Sequence, residues 1–204
     1  MEAATSTRSL AGEKAQRIIE AMRRSVAQRG AAASTFDHVA REAGVSRGLL
    51  HYYFGTKEQL LVEVVRRDSE LRMEVLDEQL AGARTAEDVL HGLVASMGEM
   101  VERDPEFISL LVELFALSRR NRDIAAELEE LLRRTRRHVA GVLAAKEQEG
   151  ILQLQAEPEA IAEVLFALGE GVALRVLAEP QRDSRPTVRA SVACARTLLT
   201  SSER

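Results

Sequence analysis

Residues 34–60 read STFDHVAREAGVSRGLLHYYFGTKEQL, and their spacing of apolar, capping and glycine residues is the most informative in the chain. Its pattern predicts a short helix between an N-cap at Thr35 and a C-terminal glycine at Gly44. It predicts a second short helix between Ser46 and Gly55. Because so few residues separate the two helices, they must cross at a steep angle, which is typical of a helix-turn-helix.

The apolar residues of this stretch are spaced to form one buried side of the helix pair: Phe36, Val39, Ala40, Ala43, Val45, Leu50 and Phe54. The second helix is left with a set of residues that a core does not require: Arg47, Gly48, Leu49, His51, Tyr52 and Tyr53. Because that set combines a guanidinium, an imidazole and two phenols on one short helix, it indicates a binding surface.

Duplex DNA suits this set, because a helix fits the major groove and its N-terminal residues reach base edges. Arg47 can donate a bidentate pair of hydrogen bonds to guanine O6 and N7. Gly48 would let the backbone come close, and Leu49 could contact a thymine methyl group. His51 could bond a base or a phosphate; the alternative is that it only faces solvent.

Phosphate contacts complete the predicted interface. Tyr52 and Tyr53 can donate their hydroxyls to phosphates, although either ring could instead belong mainly to the core. Lys57 lies in the first turn of the next helix, where the helix dipole disfavours a cation, so a phosphate partner would explain its position. The N-terminal end of the first short helix, at Thr35, offers backbone N–H groups to another phosphate.

The remainder of the chain also predicts helices, and no stretch favours a strand. Capping boxes at Thr56 with Gln59 and at Thr85 with Asp88 each open a helix. The other helices are predicted over 14–29 before Gly30, 107–117 after Asp104-Pro105, 121–150, 161–178 after Pro158 and 188–199 after Pro186. The sequence therefore predicts an all-α protein of about nine helices.

Composition excludes several classes of protein. The chain has 204 residues, 46% hydrophobic and 29% charged, which is typical of a globular domain. Its single cysteine, Cys194, cannot form an internal disulfide, and no apolar run approaches the ~20 residues of a membrane span. No signal-peptide core occurs before Glu13. We therefore expect a cytoplasmic protein without a membrane partner.

Charge is unevenly distributed along the chain. Residues 1–60 hold nine Lys and Arg against six Asp and Glu, a net charge of +3, whereas the remaining residues have a net charge of −7. Phosphates would repel the acidic part, which favours docking to DNA through the N-terminal part. The basic run 133–137 follows glutamates at 129 and 130 at i, i+4 spacing, so we predict a salt-bridged surface there rather than a second nucleic-acid patch.

Residues from about 14 to 65 resemble the DNA-binding module of the TetR family of bacterial transcriptional regulators. Two positions depart from the usual pattern: His51 stands where the family most often has Tyr, and Leu49 where Thr is frequent. The operator sequence therefore cannot be taken from a relative. The residues that carry the resemblance are Thr35, Val39, the AREAGVS segment of residues 40–46, Tyr52, Tyr53, Phe54 and Lys57.

The resemblance implies an N-terminal three-helix helix-turn-helix domain over residues 1–56. Because the first residues are small and polar, the sequence predicts a flexible arm over 1–12. It implies a larger helical domain over 57–204 for ligand binding and dimerisation. Two copies related by a two-fold axis would read a palindromic operator, and an unidentified small-molecule effector would release this repressor. The DNA-binding residues implied are Thr35, Ser46, Arg47, Gly48, Leu49, His51, Tyr52, Tyr53 and Lys57.

The last two helices would then form the dimer interface, and the middle helices would enclose the ligand pocket. The interface candidates, which could instead be an ordinary intrachain core, are Leu165, Leu168, Gly169, Val172, Val176, Val192, Ala195 and Leu199. The pocket candidates, which could equally be core, are Met73, Met97, Met100, Phe107, Leu111, Phe115 and Phe166. Glu113 could bind a cationic ligand or face water.

Three other functions compete with a ligand-responsive repressor. A helical enzyme would need a convergent nucleophile or acid–base set, and the sequence has no metal-ligand constellation, nucleophile motif or phosphate-binding loop. We therefore expect no cofactor and no catalytic residue. An architectural DNA-binding protein would respond to no small molecule. A protein–protein adaptor would have no reason to combine Arg47, Tyr52, Tyr53 and Lys57.

Overall fold

The computed structural model describes residues 2–98 and 104–200, and within these ranges it has nine helices and no strand. None of these helices is long and apolar enough to cross a membrane. The all-α prediction is confirmed. The helices are α1 (Glu2–Ala33), α2 (Phe36–Ala43), α3 (Arg47–Phe54), α4 (Lys57–Ala81), α5 (Ala86–Gly98), α6 (Pro105–Ser118), α7 (Arg122–Gln148), α8 (Pro158–Ala178) and α9 (Arg185–Leu199).

The first helix differs from its prediction at both ends. The sequence predicts a flexible arm over 1–12 and a helix from Lys14, whereas α1 begins at Glu2. The added residues include Ala3, Ala4 and Ala11, which extend a helix at little cost, although Ser, Thr and Gly lie between them. Gly30 takes a left-handed φ of 75° and interrupts the regular helix as predicted, but one more turn follows to Ala33.

The turn between α2 and α3 has the geometry that its sequence predicts. Thr35 is the N-cap of α2, and its Oγ1 accepts a backbone N–H of the first turn at 3.3 Å. Gly44 ends the helix with φ 66° and ψ 38°. Its N–H donates to the Arg41 carbonyl at 3.3 Å, and the Val45 N–H donates to the Ala40 carbonyl at 3.0 Å. This pair of bonds is a Schellman motif, which satisfies the last carbonyls of α2.

The predicted buried side of this helix pair is largely confirmed. Leu50 and Val39 are fully buried, while Val45 and Phe54 are only half-buried. Phe36, Ala40 and Ala43 are buried as well. Because each short helix commits one side to this core, the residues of α3 on the other side are left for another role.

Contacts divide the chain into two compact units. One contains residues 1–68 and 109–129, and the other contains residues 69–108 and 130–204. The domain boundary that the resemblance implies, between residues 56 and 57, lies at the start of α4 and stays a prediction, whereas the division by contacts falls within α4, after residue 68. At a rise of about 1.5 Å per residue, helices such as α4 and α7 are long enough to contribute to both units.

The second unit is built around one apolar cluster from α4, α5, α7, α8 and α9. Its fully buried side chains include Leu90 on α5, Leu143 on α7, Ile161 on α8 and Leu199 on α9. Lys146 is buried beside this cluster, where its Nζ donates to the Ala83 carbonyl at 3.3 Å and to a Glu149 carboxylate oxygen at 3.0 Å. The buried ammonium is therefore paired, as its low exposure requires.

Leu143→Ala is expected to lower the free energy of unfolding by about 2–5 kcal/mol, because it removes a fully buried side chain and leaves a cavity. Urea unfolding followed by circular dichroism measures the change. Leu71→Ala is the matched control, since Leu71 is 41% exposed on α4. Equal losses in the two variants would contradict the core described here.

Glu170 on α8 makes stability depend on pH. Burial raises the pKa of its carboxyl, and the neighbouring Glu163 carboxylate adds to the increase. The native state therefore binds this proton more tightly than the unfolded state, so stability rises as pH falls through the raised pKa. Glu170→Gln should raise the unfolding free energy near pH 7 by up to about 1 kcal/mol, because the side chain keeps part of its hydration.

The gain from Glu170→Gln should disappear near pH 4, where an ordinary Glu is itself protonated in the unfolded chain. Urea unfolding at the two pH values measures the difference. Glu74→Gln on the exposed surface of α4 serves as control. An equal gain at both pH values would show that charge is not the cause.

The basic run on α7 forms a salt-bridged surface, as predicted, but with other partners. Arg133 pairs with Glu130, three residues earlier. Arg134 pairs with Glu70 of α4 at 3.3 Å. Arg136 pairs with glutamates of α8, and its Nη1 lies 3.1 Å from a carboxylate oxygen of Glu163. Since α4 and α8 also carry acids facing α7, packing selects partners that the spacing within one helix does not show.

Candidate nucleic-acid interface

The outward side of α3 carries the residues that the sequence leaves out of the core. Leu50 is fully buried, and Arg47, Gly48, His51 and Tyr52 are exposed. With 3.6 residues per turn, Gly48 and Tyr52 lie opposite Leu50, and Arg47 and His51 lie next to them on one exposed flank of the helix. The structure therefore brings the predicted reading residues onto one surface.

Arg47 begins α3, and its side chain is held by two neighbours although it is 59% exposed. Its Nη1 donates to the two carboxylate oxygens of Asp37 at 3.2 and 3.3 Å. Its Nε donates to His51 Nε2 at 3.5 Å. Asp37 lies in the first turn of α2, so this ion pair links the two short helices. Sequence reasoning missed Asp37, because a partner ten residues away on another helix has no local signal.

The His51 ring is fixed by contacts within the protein. Its Nδ1 lies 3.0 Å from the Gly55 carbonyl oxygen. Because that oxygen only accepts, Nδ1 carries the hydrogen and Nε2 is left to accept from Arg47. The ring also meets the edge of Phe36, with 4.8 Å between ring centroids. His51 is therefore placed to orient Arg47, a role that neither sequence interpretation included.

The fold itself does not require a glycine at position 48. A Cβ placed on Gly48 would meet nothing closer than Ser46 Oγ at 4.0 Å. The open space leaves the backbone of α3 accessible to a close partner. Leu49 is half-buried, so only part of its side chain is available for the predicted methyl contact.

The two tyrosines differ in exposure. Tyr52 is 80% exposed, which excludes the alternative that its ring belongs to the core. Tyr53 is half-buried, with its ring 5.3 Å from that of Tyr52 and 6.1 Å from that of Phe54. Phe54 thus supports Tyr53, which supports Tyr52. The Tyr52 phenol is therefore exposed to solvent, and its ring is supported by two packed aromatic rings.

Lys57 has a partner within the chain. Its Nζ donates to the Ala31 carbonyl at 2.8 Å. This bond stabilises a carbonyl in the last turn of α1, so no phosphate is needed to explain a cation at the start of α4. An ammonium has three donors, and the others can still reach a phosphate.

Thr35 Oγ1 caps α2, whereas the exposed Ser46 side chain makes no cap bond to α3.

Two of the predicted pocket residues lie outside the described part of the structure: Met100 and the side chain of Met97. Met73 on α4 is half-buried. Phe166 on α8 packs against the apolar cluster of the second unit. This contact favours the core alternative for Phe166.

The predicted pocket residues of α6 are divided between the two units. Phe107 is buried in the second unit, and the Arg72 guanidinium covers its ring at 4.2 Å from the centroid. Leu111 is buried and Phe115 is 40% exposed, both in the first unit. Glu113 is half-buried. The structure thus gives these residues different surroundings, although their spacing is that of one helix.

Several predicted dimer residues face the interior of their own chain. Val172 and Gly169 on α8 are buried, and so are Ala195 and Leu199 on α9. Ala195 and Leu199 belong to the apolar cluster of the second unit. Burial within the chain favours the intrachain-core alternative for these four residues, and their role in a dimer interface stays a prediction. Leu165 packs against the apolar cluster of the second unit, while Leu168, Val176 and Val192 are half-buried.

A different stripe of α8 is apolar and exposed. It consists of Val164, Ala167, Gly171, Leu174 and Ala178, spaced alternately three and four residues apart. Val164 and Leu174 are each 44% exposed. This spacing is that of the a and d positions of paired helices, so the sequence contained the signal. We call these five residues the α8 stripe.

Two short helices joined by a glycine turn, with Arg47 and Tyr52 on the free side, define a helix-turn-helix regulatory protein. The profile of bacterial regulatory proteins of the TetR family matches residues 18–64. The profile of the C-terminal part of BetI-type transcriptional repressors matches residues 86–200. The chain belongs to the TetR family of transcriptional regulators, which are not enzymes, and the resemblance is confirmed.

Individual relatives agree with this assignment. The transcriptional regulator BetI of Agrobacterium fabrum is 45% identical over 49 residues, which cover 24% of each chain, so only about a quarter of that relative is matched. The regulator PksA of Bacillus subtilis is 26% identical over 181 residues, covering 87% of this chain and 85% of the relative.

A solved structure has the same fold. It is the crystal structure of a transcriptional regulator from Saccharomonospora viridis in complex with choline. It aligns with a TM-score of 0.76 over 94% of this chain and 100% of that chain, at 21% identity.

Proposed function

We propose that this protein is a homodimeric repressor that binds a palindromic operator through α3 and releases it when a small molecule binds. The observation that carries the DNA-binding role is the exposed set of Arg47, Gly48 and Tyr52. The fold uses none of these three for its core, and each suits a duplex. Arg47 would read guanine in the major groove, and Tyr52 with Lys57 would hold phosphates.

Dimerisation is proposed through the α8 stripe. Two copies of a helix with exposed apolar residues at three- and four-residue spacing can pair along that stripe. Gly171 in its middle would permit close approach, since nothing lies within 4 Å of the position of a Cβ there. A two-fold axis through this contact would give two α3 helices that read two half-sites.

Release of DNA requires differential binding of the effector. The effector must bind more tightly to the arrangement of the dimer that cannot seat both α3 helices, because a ligand that binds both arrangements equally shifts nothing. The BetI-type C-terminal match and the choline-bound structural relative make choline the first compound to test. The Arg72 guanidinium occupies one face of the Phe107 ring, so Phe107 could offer only its other face to a bound cation.

Selection of bound sequences from a random duplex DNA pool tests the proposed function. We expect an inverted repeat whose half-site centres are about 34–36 Å apart or a multiple of that distance. The affinity for the selected duplex should fall steeply with added salt, as counterion release requires. Enrichment of no sequence, or of a single unrepeated half-site, would contradict the proposal.

The effector role has its own measurement. A ligand that releases the selected duplex should raise the melting temperature of the protein, and by linkage the duplex should weaken ligand binding by the same factor. Choline is compared with its uncharged carbon isostere. A protein whose melting temperature responds to no compound while it binds DNA would be an architectural protein rather than a ligand-responsive repressor.

A further inference from the structure

We propose that Asp37 and His51 are specificity-determining positioning residues that hold the Arg47 guanidinium ready for a base edge. This inference rests on the proposed function, in which Arg47 reads the operator. It assigns Asp37, a residue of α2, a part in base discrimination. It also makes His51 a support of the reading residue instead of a reader.

The donor inventory of Arg47 permits this arrangement. A guanidinium has five N–H donors. One from Nη1 is used by Asp37, and the Nε–H is used by His51. Three donors remain, one on Nη1 and two on Nη2. Two donors suffice for guanine O6 and N7, so Arg47 can read the base without leaving either support.

His51 is itself fixed, so it can act as a support. Its Nδ1 bonds the Gly55 carbonyl and its ring rests on Phe36, which is buried in the helix-turn-helix core. Asp37 is likewise anchored on α2, whose N-terminus favours a carboxylate. Arg47 is therefore held from both short helices.

Holding Arg47 favours base contact over phosphate contact. A free arginine side chain has about 2 kcal/mol of rotamer entropy and can swing to any nearby phosphate. Because Asp37 is paired with it, the guanidinium is locally neutralised, and its attraction to the DNA phosphates is weaker for every sequence. The directed pair of donors toward guanine is kept. Asp37 thus lowers non-specific affinity more than it lowers specific affinity.

The effect is expected in recognition and not in stability. Both side chains of the Arg47–Asp37 pair are 59% exposed, and exposed ion pairs contribute little to folding. Loss of the pair therefore leaves the helix-turn-helix folded. What changes is the preference between one base pair and another.

The test measures dissociation constants for three duplexes: the one that the wild type selects from a random pool, the same duplex with its Arg47-dependent base pair replaced, and a scrambled duplex. That base pair is the position whose preference Arg47→Ala abolishes. The variants are Asp37→Asn, His51→Ala, Arg47→Ala and the double variant Asp37→Asn with Arg47→Ala. Glu42→Gln is the matched control, because it removes a carboxylate from α2 that pairs with Arg24 at 2.7 Å and does not touch Arg47.

Asp37→Asn is expected to tighten binding to the scrambled duplex several-fold and to reduce the preference at the Arg47-dependent base pair about three- to ten-fold. His51→Ala should reduce the same preference without a gain on the scrambled duplex, because it changes no formal charge. In the Arg47→Ala background, Asp37→Asn should leave base preference unchanged. Melting temperatures check that all variants are folded.

Two results would overturn the inference. One is an unchanged base preference in Asp37→Asn while Arg47→Ala abolishes it. The other is an equal loss of preference in Glu42→Gln, which would make it a general charge effect. If Arg47→Ala changes no base preference, the role of Arg47 in the proposed function fails first. The two failures are therefore distinguishable.

Discussion

Arg47→Ala is expected to weaken operator binding by about 30-fold or more and to remove the preference at one base pair in each half-site. A bidentate arginine–guanine contact is worth about 1–3 kcal/mol, and a dimer makes the contact twice. The Arg47 side chain is 59% exposed on α3 and is not part of the apolar core, so the variant should fold normally. Titration of the selected duplex, alongside circular dichroism of the protein, measures both effects.

Arg41→Ala is the control for charge alone. Arg41 is exposed on α2 and is not part of α3, so its removal should weaken binding to all duplexes by a similar and smaller factor. An Arg47→Ala protein that still dimerises and binds the selected duplex with unchanged affinity and preference would exclude Arg47 as a reader. A loss that is uniform across sequences would make it a phosphate contact.

Gly171→Arg is expected to convert the dimer to monomers and to lower operator affinity by about 100-fold or more. An arginine in the middle of the α8 stripe would bury an unpaired charge between the two copies, which costs several kcal/mol. A single α3 helix then binds one half-site without the gain from linkage. Light scattering after size-exclusion chromatography gives the oligomeric state, and the same sample is titrated with DNA.

Gly141→Arg provides the matched control for the second prediction. Gly141 is an exposed glycine on α7, and nothing lies within 4 Å of its Cβ position either. This variant should remain dimeric and bind DNA as the wild type does. A dimeric Gly171→Arg protein would place the interface elsewhere, and a monomer with full operator affinity would remove dimerisation from the mechanism.

Local features of the sequence predicted most of the helix-turn-helix. The N-cap at Thr35 and the glycines at positions 44 and 55 act within a few residues of themselves, so their effect is readable from the chain. The capping box of Thr85 and Asp88 is another example. The Asp88 carboxylate accepts the backbone N–H of Thr85 at 2.9 Å, and the backbone N–H of Asp88 donates to Thr85 Oγ1 at 3.1 Å.

Faces of longer helices were harder to predict. α8 is apolar around most of its circumference, so its spacing alone did not show which side would be buried. In the structure Val172 is buried within the chain, whereas Leu174 is 44% exposed. Burial is set by what packs against a helix, which the helix's own sequence does not contain.

By itself, the sequence determined the helices, the glycine turn and the residues excluded from the helix-turn-helix core, because capping and apolar spacing are local properties. Tertiary structure decided the partners of those residues. It paired Arg47 with Asp37 across two helices and gave Lys57 the carbonyl of Ala31. Such contacts join residues that are distant in the chain, and only the packing of the helices brings their atoms within hydrogen-bond distance.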